Sequence, residues 1–141
     1  MATMTEDCNE LFEELQSNDW SVFRRAHPHA LLIGSESGAE AVIVRLRQYL
    51  RAPLVHWHPR SRAEPPSAAG TLVIWDVDAL DRLQQAQLLA WMDSHIDGQV
   101  ISIAPAPVFP LAMREEFLEA LYYRLNVLCL GVDGQLDLSV S

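Results

Sequence analysis

Residue types capable of chemistry fall into four short stretches of this chain. Two histidine pairs, His27/His29 and His56/His58, have the i, i+2 spacing that puts both imidazoles on one face of an extended segment. Two such pairs brought together would supply nitrogen ligands for zinc. No spaced cysteine or carboxylate set accompanies them, so ordinary loop and strand-end histidines are the favoured reading and no metal site is expected. Asp76 and Asp78 follow an apolar run and would either hold magnesium or, as favoured here, face solvent or cap a helix. The stretch GSESGAEA at 34–41 sits where a phosphate loop would sit, between an apolar run and an amphipathic one. It carries Glu36 and Glu40, with Ala41 where a cation is needed. No Ser-His-Asp or Cys-His spacing yields a nucleophile, so no catalytic residue is expected.

The charge pattern narrows the chemistry further. All ten cations of the 141-residue chain are arginines, and lysine is absent. Schiff-base chemistry, PLP anchoring and the phosphate-gripping lysine of a P-loop are therefore excluded. Nineteen acidic residues give a formal charge of -9 and a pI near 4.8, a field that repels polyanions, so no direct nucleic-acid partner is expected. Arg45, Arg47, Arg51, Arg60 and Arg62 read as a solvated helix face and loop, with a small anion or partner patch as the alternative.

With 50% hydrophobic residues the chain can bury a core as one domain, and its apolar runs are too short for a membrane helix. The acidic N-terminus has no signal-peptide character, which points to the cytoplasm. Cys8 and Cys129 are expected to be packed free thiols in a reducing compartment.

The elements that must position these groups follow from periodicity. Cys8, Leu11, Phe12 and Leu15 have helical spacing, and a second short helix carries Trp20 and Phe23. The non-alternating run at 30–34 reads as a strand buried on both faces, followed by a helix with Val42, Leu46, Tyr49 and Leu50 on its apolar stripe. Strands are expected at 53–57, 71–75, 99–104 and 127–132, and helices at 81–94 and 111–121. Asp133-Gly134 signals a type I′ hairpin leading to an antiparallel edge strand with Leu136, Leu138 and Val140 alternating. This order predicts a three-layer α/β/α sandwich with a mostly parallel sheet. Residues 1–27 would form N-terminal helices, 28–132 the core and 133–141 the edge strand. The start at Met1 and the terminal hairpin favour a free-standing module over a domain cut from a longer regulator.

Two stretches are more specific. GTLVIWDVDALDRLQQAQLL at 70–89 resembles the Walker B segment and helix (GGTLFLDE…LQ-x-x-LL) of the AAA+ central domain of sigma-54-dependent transcription activators, the bacterial enhancer-binding proteins. FLEALYYRLNV at 117–127 resembles that family's arginine-finger segment (FR-x-DLYYRLNV). With these fixed, residues 31–47 fall on the family's VLI-x-GESGTGKE Walker A segment and 53–55 on its PFV strand. The likeness covers about residues 28 to 132 and implies a P-loop NTPase-like AAA+ core without its lid.

The resemblance also implies that catalysis has been dismantled. Ser35, Glu36, Ser37 and Gly38 keep the first half of the Walker A pattern, whereas Glu40 replaces its glycine and Ala41 its lysine. Trp75 replaces the magnesium-binding aspartate, and Asp76 stands where the catalytic glutamate belongs. His58 corresponds to the asparagine that partners that glutamate, and of the two finger arginines only Arg124 remains, Leu118 replacing the first. Without the lysine and the metal carboxylate, phosphoryl transfer lacks the charges it relies on. The short 59–69 connection leaves no room for the helix and GAFTGA loop that touch sigma-54, and neither a lid nor a helix-turn-helix follows. The expected function is a non-catalytic, protein-binding module of sigma-54-linked regulation, its partner a competent activator or a second copy, with Tyr122, Tyr123 and Arg124 as the candidate contact and at least one of the two tyrosines expected in the core. No cofactor is expected; weak ATP or ADP binding through backbone groups at 35–39 is the alternative.

Overall fold

Five strands in the order β2-β3-β4-β1-β5, all parallel, make the sheet of the computed structural model, which describes Phe23 and residues 26–67 and 70–133. The strands are β1 (Ala30–Ile33), β2 (Leu54–Trp57), β3 (Thr71–Ile74), β4 (Gln99–Ala104) and β5 (Leu128–Gly131). The three inner strands are buried along their whole length, as expected for a parallel sheet covered on both faces. Helix α1 (Glu36–Leu46) covers one face, where Val42, Ile43 and Leu46 pack with Leu32, Val73, Ile101 and Phe23. Helices α2 (Arg82–Ser94), α3 (Phe109–Met113) and α4 (Glu119–Leu125) cover the other. There Leu88, Trp91, Leu121 and Tyr122 meet Leu31, Leu72 and Val100. This is the three-layer α/β/α architecture that the order of elements predicts.

Helix α2 begins with a capping box. The Asp81 carboxylate accepts from Gln84 N at 2.8 Å and the Gln84 side chain accepts from Asp81 N at 3.0 Å. The same Gln84 donates from Nε2 to the carbonyls of Pro59 and Ala63. Trp57 Nε1 donates to Arg62 O and Trp91 Nε1 to Pro66 O, at 2.8 and 2.9 Å. Side chains from β2 and α2 thus tie down the connection from β2 toward β3, satisfying carbonyls that would otherwise lack donors.

Three expectations need correction. The single helix at 111–121 is two, because Glu115 takes a positive φ of 62° and turns the chain between α3 and α4. The type I′ turn does not start at Asp133: that residue is absent from the positive-φ set such a turn requires, and Val132 and Asp133 are helical in conformation. The expected edge strand beyond it, like the helices expected around Cys8 and Trp20, lies outside the described residues. Finally, Cys129 is not a free thiol but disulfide-bonded, and the chain's only other cysteine is Cys8.

Candidate functional site at the carboxyl ends of the strands

The turn after β1 is built around Gly34 and Ser35. Gly34 has a φ of 144°, and a Cβ on it would stand 2.7 Å from Val132 Cγ2 and 2.9 Å from Asp133 Oδ2, so only glycine fits. Ser35 is the N-cap of α1, its Oγ accepting from Gly38 N at 3.0 Å. That same hydroxyl donates to Asp133 Oδ1 at 2.6 Å, and Ser35 N donates to Asp133 Oδ2 at 2.7 Å. A carboxylate from the end of β5 therefore sits at the head of α1, where the helix dipole favours negative charge. Ser37 Oγ lies 3.3 Å from Ser35 Oγ, while Gly38 is buried and Ala41 half-buried on the helix. The carboxylate of Asp133 is the residue that sequence reasoning missed, because the Asp-Gly pair read as a hairpin turn.

Two strands away, Trp75 closes the end of β3. It is 7% exposed, with its indole Nε1 donating to His56 Nδ1 at 3.0 Å. Accepting at Nδ1 leaves the neutral imidazole its proton on Nε2. His58 lies nearly parallel to the indole, at 4° and 5.9 Å between centroids, and His56, bonded to its edge, is inclined by 19° at 6.1 Å. Burial first, then His58 and Arg47, lower the His56 pKa below the usual histidine value. These rings, with Glu36, Glu40, Ile43, Val44 and Arg47 of α1 and the turn after it, line a cleft of about 350 Å³.

Asp76 follows in a left-handed conformation, φ 56° and ψ 52°, exposed and making no side-chain cap. Asp78 is half-buried with Oδ1 lacking a partner, and desolvation above all raises its pKa. Neither aspartate caps a helix; that task falls to Asp81.

The structure separates the remaining candidates. His27 and His29 lie at the amino edge of the sheet, beside the start of β1, whereas His56 and His58 lie toward its carboxyl edge, so the two pairs do not converge. Among the described residues no cluster of three or more His, Cys, Asp or Glu side chains could hold a metal. His29 instead accepts Val100 N at its Nδ1, 3.0 Å away, and its pKa is lowered by burial and by Arg124. Arg124 is thus also at the amino edge, donating to Asp93 at 2.7 Å. Tyr122 is 2% exposed and accepts from Asn126 Nδ2, which makes it a core residue rather than a contact anchor. Tyr123, 59% exposed, does face outward.

No protein-family model matches the chain, and no curated protein matches it. Solved structures do. NtrX from Brucella abortus in complex with ATP is similar at a TM-score of 0.67 and 17% identity, covering 86% of this chain and 35% of that one. Its complex with ADP gives 0.66 and 16%, covering 88% and 36%, and NtrX without a named ligand gives 0.65 and 16%, covering 86% and 36%. The chain spans about a third of NtrX. At these identities the likeness establishes the α/β fold. None of the described helices is long and apolar enough to cross a membrane.

Proposed function

We propose that the chain is a non-catalytic AAA+-like module that works by protein contact in bacterial sigma-54-linked transcriptional regulation. The observation that carries this reading is Trp75: a buried indole, clasped by His56 and His58, stands where the resembled family needs a metal-binding carboxylate. An indole binds no magnesium, and Ala41 offers no cation for phosphates. The partner is a competent activator of the same fold or a second copy, with exposed Tyr123 and half-buried Arg124 as the anchors that remain once Tyr122 is assigned to the core. Neither nucleic acid nor membrane is a direct partner in this reading.

A cytoplasmic location follows from the same reading. The Cys129 disulfide runs against it, since such bonds are kept reduced in the cytosol. Thiol labelling in intact cells separates the two.

A second reading, weak ATP or ADP binding without hydrolysis, draws on the NtrX complexes and on the turn at 34–38. Asp133 weighs against it, because its carboxylate already takes the Ser35 N–H and would repel a phosphate. Co-purification from the native cell tests the leading reading. Sigma-54 or one of its activators is expected in the eluate, and recovery of none of the transcription machinery would overturn it.

A further inference from the structure

The cleft between α1 and the ends of β2 and β3 has a composition that the loss of nucleotide chemistry does not explain. One wall is aromatic and fixed: Trp75 is held by its bond to His56, with His58 parallel to it. The other wall is the stripe Glu36, Glu40, Ile43, Val44 and Arg47, which helical spacing sets on one side of α1 and the turn after it. Glu36 and Glu40 stand one turn apart, both exposed and both facing the cleft. The salt bridges among the described residues are Arg114–Glu116 and Arg124–Asp93, so neither glutamate is paired with any of those residues. With His56 kept neutral, the cleft holds two carboxylates against the single cation of Arg47.

We propose that this cleft binds a guanidinium group, stacked against the His58–Trp75 wall and paired with Glu36 and Glu40. A phosphate or carboxylate ligand would meet net negative charge. A metal ion would find no set of three ligands among the described residues, and His56 Nδ1 is already committed to Trp75. A planar, weakly hydrated cation suits both walls at once: it stacks on aromatic faces and meets carboxylates edge-on with paired donors. An ammonium satisfies the carboxylates but gains less from the flat wall.

The guanidinium can belong to a free small molecule or to an arginine side chain presented by a protein. The second source deepens the interaction reading above and rests on it; the first stands without it. Both are tested at pH 7.5 on the whole chain by following the assigned indole Nε1–H resonance of Trp75 during titration with agmatine, a blocked Gly-Arg-Gly tripeptide, butylamine and Mg-ATP.

Agmatine is expected to move that resonance saturably with a Kd on the order of 1 mM. Butylamine should bind at least about threefold more weakly. In the E36Q/E40Q variant, altered at two exposed positions, agmatine should bind about tenfold more weakly. Tighter binding of the tripeptide than of agmatine assigns the site to a protein-borne arginine, and the reverse assigns it to a free ligand. No saturation by about 50 mM agmatine, an undiminished response in E36Q/E40Q, or a stronger response to Mg-ATP than to agmatine would overturn the proposal. ATP turnover, the failure mode of the non-catalytic reading, is measured separately and leaves this titration readable.

Discussion

The turn after β1 and the end of β3 lie at the same edge of the sheet, on either side of β4, and are built in different ways. At the turn the backbone sets the form: Gly34 takes a positive φ, Ser35 caps α1, and the helix head draws the carboxylate of Asp133. At the end of β3 a side chain sets it, a hydrogen-bonded indole filling the place with apolar contacts. Backbone shape is held by sterics and survives substitution around it; a site made of side chains takes whatever chemistry its residues supply.

That contrast sets the sizes of the expected effects. Trp75→Ala empties a buried, stacked position and should cost about 3–5 kcal/mol, read by denaturant unfolding. A loss under 1 kcal/mol would show that the indole is not the keystone of this edge. His29→Ala, at the opposite edge, leaves the Val100 N–H without its acceptor and should cost about 1–3 kcal/mol. Gly34→Ala forces a side chain into a positive φ and against Val132 and Asp133; the expected cost is again about 1–3 kcal/mol. A neutral outcome there would mean that the turn is not sterically fixed. Asp133→Asn weakens the two bonds to Ser35 and should cost about 1 kcal/mol, reduced from a buried value by solvent exposure.

Titration gives smaller effects of known sign. His29 and His56 both have native pKa values below the usual 6.5, burial being the first cause in each. The unfolded chain therefore takes up protons before the native one as pH falls below about 6.5, so stability is full above that pH and declines beneath it. Asp78 runs the other way: its raised pKa means that the native state holds its proton longer, and the contribution is lost as pH rises above the ordinary carboxylate range. Asp78→Asn should then stabilise slightly at pH 7, by less than about 1 kcal/mol, and flatten that part of the unfolding profile.

Much of this architecture was legible because its signals are local. The apolar run at 30–34 and the strand at 99–104 each carry their own apolar pattern, and the helix at 81–94 its own periodicity. The site was legible in part. His56 and His58 read as neighbours on one face, and the structure sets both against Trp75. What local pattern does not encode is contact across the fold. Asp133 reaching Ser35 spans 98 positions, and the cleft pairs α1 with β2 and β3 through the sheet's lateral order. Tyr122 and Tyr123 are adjacent and chemically alike, and only packing decides that the first is core and the second surface. The split of the helix expected at 111–121 had no Gly or Pro to announce it, since the turn runs through Glu115 at positive φ.

Isothermal titration of the whole chain with Mg-ATP, paired with an assay for released phosphate, addresses the proposed loss of nucleotide chemistry most directly. The expected result is no saturable binding with a Kd below about 100 μM and no phosphate release above the uncatalysed background. Saturable binding tighter than that, or turnover abolished by Gly34→Ala, would contradict it.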